Sequence, residues 1–321
     1  MSEVTDKRPL LIVNPRSGGG RTGRIFDQMR GPIERAIGPF DTLFTERGRH
    51  AVEIAREAVL SGCETVIAVG GDGSIHEVVN GLMEARERGA GKARFGVIGQ
   101  GTGGDFRRTL GIEHRLDRYA AVIAAGKTRR IDVGRATFVG HDGKPASSYF
   151  VNILSAGLGG LVDRLVADAS RGLGGTLAYF GASVRGLLES ELGDLACTLT
   201  YKGETRVTRF RSRNVAVCNG RYFGSGMKVA PMAEIDDGVF EVVDQGDAPK
   251  LRFAYVSSTR IYKGTHIGHP DVHHHRCDRI KVELLNESVA DRFLLDVDGE
   301  PLGRLPLEIE LIPGALNVLC P

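Results

Sequence analysis

The sequence predicts a chain of two parts. Residues 1–133 read as an α/β unit, a parallel sheet flanked by helices; residues 134–321 read as a β-rich, sandwich-like unit whose last few residues are free to return to the first. Three observations carry this. Short apolar runs alternate with helical repeats through the first part, glycine clusters close those runs, and beyond Ile131-Asp132-Val133 strand-like segments dominate. A chain of 321 residues has the length for two cores.

Each element follows from its own pattern. Leu10-Leu11-Ile12-Val13 is a short apolar strand closed by Asn14-Pro15 and the glycines Gly18 to Gly20. Arg24 to Ile37 suits a helix, Thr42-Leu43-Phe44 a second strand, and Ala51, Ile54, Ala55, Ala58 and Val59 recur at helical spacing. Val66-Ile67-Ala68-Val69 is a third strand, broken by Gly70-Gly71-Asp72-Gly73. Ile75, Val78, Val79, Leu82 and Met83 then mark one apolar helix face, and Phe95-Gly96-Val97-Ile98 a fourth strand. In the second part, strands are expected over Tyr149–Leu154, Cys197–Tyr201, Asn214–Cys218, Val239–Val243, Ile280–Leu285, Phe293–Val297 and Leu307–Ile312, with helices near Leu161–Ala169 and Leu177–Leu188.

Composition narrows the function. Net charge is only +2, so no nucleic-acid partner is implied. Five cysteines without paired spacing fit a reducing compartment, no apolar run reaches the length of a membrane span, and the polar N-terminus is no signal peptide. The expectation is a cytoplasmic protein with no transmembrane segment; oligomeric state stays open, a homodimer included.

In parallel sheets ligands bind where loops leave the carboxyl ends of strands, and the glycine clusters sit there. In Gly70-Gly71-Asp72-Gly73-Ser74-Ile75-His76-Glu77, bare main chain at a helix start can face an anion, and Asp72 can hold Mg²⁺ against nucleotide phosphates. The bland alternative is a capping box formed by Ser74 and Glu77. Gly99-Gln100-Gly101-Thr102-Gly103-Gly104-Asp105-Phe106 contains a formal GxGxxG, but it follows the fourth strand and lacks the later acidic residue of a dinucleotide site. A second phosphate-facing loop accounts for it better; Thr102 or Asp105 as a helix cap is the alternative. Arg107 and Arg108 can meet phosphate charge or be solvated. Asn14-Pro15-Arg16-Ser17-Gly18 is another loop candidate or a plain turn, without the lysine of a P-loop. Asp296-Val297-Asp298-Gly299-Glu300 reads as a hairpin turn or as a carboxylate base for an attacking hydroxyl. The run containing His266, His269, His273, His274, His275 and Cys277 reads as a polar loop before it reads as a metal site.

Taken together, these residues resemble the bacterial diacylglycerol kinase-like lipid kinases, a family that includes sphingosine and ceramide kinases. The resemblance spans nearly the whole chain. Its anchors are Asn14 to Gly18 with Gly20; Gly70 to Ser74 with Glu77, Asn80 and Gly81; Gly101-Thr102 with Asp105-Phe106 and Arg108; Ile131-Asp132; Gly224 to Pro231; Asp236-Asp237-Gly238; and Asp298-Gly299-Glu300. It implies ATP and Mg²⁺ as cofactors and a membrane lipid substrate reached peripherally, with transient attachment to the membrane surface. ATP contacts would fall on Asn14, Pro15, Arg16, Ser17, Gly18, Thr45, Gly70, Gly71, Asp72, Gly73, Ser74, Ile75, His76, Glu77 and Thr102. Asp72, Asp105 and Asp132 would surround the catalytic metal. Asp237, with the carbonyls of Glu234 and Val239, would form a second, structural Mg²⁺ site. Asp298 and Glu300 match the catalytic acidic pair, with Asp72 beside the reacting phosphate. Ser74, His76 and Gly104 depart from the family's threonine and two asparagines.

The implied reaction is phosphorylation of diacylglycerol to phosphatidic acid. Ceramide, a sphingoid base or phosphatidylglycerol are alternative acceptors. A soluble-substrate kinase resembling NAD kinase or phosphofructokinase is a rival, and a catalytically silent nucleotide- or lipid-binding regulator is another. A helical stripe of Leu177, Phe180, Val184, Leu187 and Leu188 reads as core or as the lining of a lipid cleft.

Overall fold

A computed structural model describes residues 8–101, 103–168 and 175–321. The chain divides into two compact units, Met1–Ile131 with Gly314–Pro321, and Asp132–Pro313. The first contains β1 (Leu10–Val13), α1 (Arg21–Ile37), β2 (Asp41–Phe44), α2 (His50–Leu60), β3 (Thr65–Gly70), α3 (Asp72–Glu87), β4 (Arg94–Gly99), α4 (Asp105–Thr109) and α5 (Leu116–Ala125). Its strands are parallel in the order β2-β1-β3-β4, and Asn317 and Val318 of the returning chain extend the sheet beside Arg94 and Phe95. β1 and β3 are unbroken apolar runs because both faces are covered, and every residue of each is buried. α2 and α3 meet closely at Gly81, where a Cβ would stand 2.3 Å from the Val52 carbonyl oxygen. Parallel strands with βα loops at one end set the glycine clusters side by side.

The second unit begins within β5 (Thr128–Gly140) and continues with β6 (Pro145–Phe150), β7 (Ile153–Gly157), α6 (Leu158–Asp168), α7 (Gly175–Glu189), β8 (Gly193–Tyr201), β9 (Glu204–Ser212), β10 (Asn214–Cys218), β11 (Phe240–Asp244), α8 (Lys250–Thr259), β12 (His273–Cys277), β13 (Arg279–Leu284), β14 (Leu294–Val297) and β15 (Glu300–Leu319). One antiparallel path runs β12-β11-β10-β7-β14-β15, and β15 also pairs β13, which leads to β8 and β9. Alternate residues of these strands, among them Phe150, Leu154, Leu195, Phe240, Ile280, Leu295 and Val297, interlock in a dry core.

Three expectations are corrected here. The strand over Tyr149–Leu154 is split in two, because the amides of Val151, Asn152 and Ile153 turn to the Asp298 carboxylate at 2.9–3.0 Å. The histidine run is no polar loop: His273 to Cys277 forms β12, in antiparallel register with β11. As a strand with β11 as its paired neighbour it carries polar side chains without burying all of them. The stripe on α7 is not plain core either. Phe180, Val184 and Leu188 are 68%, 46% and 68% exposed; the side chain of Leu177 lies outside the described residues, as does Ala169.

Candidate active site

In the first unit, the loops after β3 and β4 form an open cleft lined by Gly70, Gly71, Asp72, Ile75, Gly99, Gly101, Gly103, Gly104, Arg107, Arg108, His114 and Tyr119. The glycines are there first for loop-to-loop contact. A Cβ on Gly101 would lie 2.5 Å from the Gly71 Cα, and one on Gly103 would lie 2.7 Å from Asp72 Oδ2. The walls are therefore main chain because no side chain fits between the loops.

Asp72 ties the two loops together. Its Oδ2 accepts the Gly104 amide at 2.6 Å, and its Oδ1 accepts the amides of Asp105 at 3.1 Å and Phe106 at 3.4 Å. A carboxylate from one loop thus caps the short helix α4 of the other, so neither Thr102, which lies outside the described residues, nor Asp105 is needed as the cap. The capping-box alternative also fails. Helix α3 starts at Asp72 with Gly71 before it and no side-chain cap. The Ser74 hydroxyl accepts Asn14 Nδ2 at 3.0 Å, and Glu77 instead accepts the amides of Arg49 at 2.9 Å and Ala51 at 3.1 Å, capping α2. Among the described residues no side chain caps the start of α3, as an anion site needs.

Of the expected nucleotide residues, the cleft lining takes in Gly70, Gly71, Asp72 and Ile75, with Asn14 joined to it through Ser74; Thr45, His76 and Glu77 stand outside the lining. Arg107 donates Nη1 to the Ile112 carbonyl at 2.7 Å, while its buried Nε has no partner among the described residues. Arg108 instead pairs with Asp105 at 2.8 Å. Sequence reasoning missed His114 and Tyr119, whose ring nitrogen and hydroxyl lie 2.9 Å apart against the cleft. Burial pushes the Tyr119 hydroxyl up to about 12, so it stays a neutral donor. Neither residue stands near a motif, and α5 is an ordinary amphipathic helix.

In the second unit, Asp298 and Glu300 sit at the hairpin from β14 to β15. Asp298 holds a left-handed conformation, φ 53°, and is nearly buried, its oxygens taken by the three amides that split the expected strand. Asp296 Oδ1 accepts the Gly299 amide at 2.7 Å and closes the turn. Asp132 lies in this unit too. Its Oδ2 accepts the Gly238 amide at 2.7 Å, next to Asp237, whose Oδ1 accepts the Val239 amide at 3.1 Å. Burial raises the Asp237 carboxyl, and the nearby Glu241, Asp132 and Glu234 carboxylates add to the effect. Among the described residues, no group of three or more His, Cys, Asp or Glu side chains stands ready to hold a metal ion. A set of one carboxylate and two main-chain carbonyls at Asp237, Glu234 and Val239 is nonetheless the all-oxygen chemistry that suits Mg²⁺.

A glycine-walled cleft at the ends of parallel strands, and a sandwich unit carrying an acidic turn, define the class as a kinase with a nucleotide substrate. Residues 8–136 match the diacylglycerol kinase catalytic domain, and residues 152–320 match the YegS C-terminal NAD kinase beta sandwich-like domain. The chain belongs to the diacylglycerol kinase family. It is 30% identical over 317 residues to the diacylglycerol kinase of Bacillus subtilis (strain 168), covering 98% of this chain and 97% of that one. It is 26% identical to that of Staphylococcus carnosus (strain TM300), covering 98% and 95%. A crystal structure of a diacylglycerol kinase from Bacillus anthracis str. Sterne shares the fold, with a TM-score of 0.70 at 22% identity over 98% of this chain and 97% of that one. No helix among the described residues is long and apolar enough to cross a membrane.

Proposed function

We propose that this enzyme transfers the γ-phosphoryl group of ATP, with Mg²⁺, to a membrane-lipid hydroxyl, with diacylglycerol as the acceptor. The observation that carries the nucleotide half is the cleft of the first unit. Its loop walls are main chain, the N-terminus of α3 opens on it without a side-chain cap, and the buried Arg107 Nε has no partner among the described residues. An anion is the ligand such a lining fits. When bound, Mg²⁺ supplies charge neutralisation on the phosphates. Asp72 orients both loops around them, and Asp105, held by Arg108, donates its own amide to Asp72.

For proton transfer the second unit offers Asp298 and Glu300. Asp298's oxygens are engaged by three amides, which suits it to fixing the turn; Glu300 is assigned the removal of the acceptor's proton. Asp237 with the Glu234 and Val239 carbonyls is the structural metal site, and Asp132 supports it through Gly238. A lipid acceptor is supported by the family and by the exposed Phe180, Val184 and Leu188, which lie four residues apart on one face of α7. The same face gives a route for peripheral attachment to a bilayer.

The test is incubation of the purified protein with labelled ATP, Mg²⁺ and a total lipid extract, followed by identification of the labelled product. Labelled phosphatidic acid supports the reading. A labelled ceramide, sphingoid base or phosphatidylglycerol product would keep the lipid kinase and change its acceptor. Phosphorylation of NAD without lipid would replace it, and tight ATP binding with no turnover across the extract would point to a regulator.

A further inference from the structure

Behind the acidic turn the fully buried Asp296 meets the half-buried Asp163, whose Oδ2 is itself sealed from solvent, and no part of the proposed reaction uses the pair. Gly160 lets α6 lie directly on β14: a Cβ there would stand 2.5 Å from the carbonyl carbon and oxygen of Leu294. Asp163 follows Gly160 by three residues, on the same helix face. On β14, Leu295 and Val297 point into the sandwich core, so Asp296 between them points the other way, to the face that α6 covers. The two carboxyls are in hydrogen-bond reach of each other. Ser155, directly across from Asp296 in the antiparallel register, completes the lining.

Among the described residues, Asp163 Oδ2, Asp296 Oδ2 and Ser155 Oγ are buried atoms without a partner when the pair is counted as two carboxylates. Two acceptor oxygens facing each other repel, and a proton between them satisfies both at once. We propose that Asp163 and Asp296 share one proton, and that this protonated pair positions the turn carrying Asp298 and Glu300. The link is short: one oxygen of Asp296 faces the pair, while the other accepts the Gly299 amide at 2.7 Å and closes the turn. Asp163 and Asp296 are positioning residues in this scheme.

The electrostatics agree with the geometry. Burial pushes both carboxyls, Asp163 and Asp296, above the carboxylate range, and their closeness makes them titrate as one pair. The charges acting on the pair are Glu300 on Asp163 and Asp298 on Asp296, both of which favour the proton. β7 contributes the uncharged Ser155, and on α7 Arg185 pairs with Glu189 in solvent. Arg164, on α6 itself, is half-buried. A carboxyl raised on folding binds its proton more tightly in the folded chain than in the unfolded one. Stability therefore falls as pH rises from the ordinary carboxyl range near about 4 toward the raised value, and levels off above it.

The proposal rests on the reading of Asp298 and Glu300 as the catalytic turn, so its test has a readout independent of turnover. Parent and Asp163→Asn are compared from about pH 6 to about pH 9 by kcat and by hydrogen exchange of the peptide spanning residues 294–302, corrected for intrinsic pH dependence. Asparagine at 163 has no ionisable proton, and its amide N–H can donate to Asp296 in place of the shared proton. In the parent, protection of this peptide should fall at least about tenfold across the range, with kcat falling in step, while KM for ATP stays level. In Asp163→Asn both slopes should flatten to within about twofold. Parent protection that does not change with pH overturns the pair even where Asp163→Asn fails to fold. A pH-dependent peptide with no matching slope in kcat overturns its role in positioning the catalytic turn. If no lipid is phosphorylated at all while the exchange behaviour is as expected, the kinase chemistry assigned to the turn fails and the proton-sharing pair stands.

Discussion

The glycine loops of the first unit and the acidic turn of the second achieve precision by opposite means. In the first, side chains are removed until main chain meets main chain, as at Gly71 and Gly101, and much of what faces a ligand is main-chain amide that does not titrate. In the second, carboxyl groups are buried until they depend on one another: Asp298 on three amides, Asp296 on Gly299 and Asp163. The contrast teaches where pH can act. In the anion site the group open to titration near neutrality is His114, which burial and Arg107 hold below the usual imidazole value, whereas the proposed pair behind the acidic turn places its protonation change there.

The largest expected effect lies in the turn. Glu300→Gln should lower kcat by about 10²- to 10⁴-fold with the melting temperature unchanged. Asp298→Asn should lower kcat and also stability, by about 1–3 kcal/mol, because an amide NH₂ would confront one of the N–H groups that the carboxylate now accepts. Steady-state kinetics beside thermal denaturation separate the two. Equal losses of stability in both variants would remove the division of labour between Asp298 and Glu300.

The two regions also differ in how far the sequence discloses them. The first unit's strands and loops are legible because their signals are local: an apolar run, a glycine cluster and the next helix stand within a few residues. The acidic turn is legible as a motif, but its support is not. Asp163 lies 133 positions before Asp296 in an ordinary amphipathic helix, where an isolated aspartate reads as a solvated charge. β9 escapes notice because Glu204, Thr205, Arg206 and Val207 are all exposed, so no apolar alternation marks it. Ser74 and Glu77 show the reverse error: their spacing fits a cap, yet distant partners, Asn14 and the start of α2, claim both side chains.

On the loop side, Asp72→Asn should cost about 1.5–3 kcal/mol of stability, since it replaces charge-assisted bonds to three amides, and it should also weaken nucleotide binding. Chemical denaturation and nucleotide titration read the two effects. Stability within about 0.5 kcal/mol of the parent would mean that the loops hold together without this carboxylate.

Two glycine replacements sharpen the claim that loop contact, rather than chain flexibility, sets the cleft. Gly101→Ala places its Cβ 2.5 Å from main chain that has no rotamer to yield, so the loops must part, and the Kd for nucleotide should rise about tenfold or more. Gly19→Ala meets nothing within 4 Å but forces alanine into φ +65°. It should cost about 1–2 kcal/mol of stability and leave nucleotide affinity within about twofold. Comparable affinity losses in both would shift the explanation to flexibility.

The smallest expected effect tests whether the loop region is tied to the fold beyond its own turns. Glu77 sits in the first turns of α3, yet it caps α2 through Arg49 and Ala51. Glu77→Ala should remove that cap at a cost of about 1 kcal/mol, and Glu77→Gln, which keeps one acceptor oxygen, should recover part of it. If Glu77 serves only as the cap, nucleotide affinity is unchanged in both variants. A loss of affinity that tracks the loss of stability would instead show that α2 helps to hold the glycine loops in register.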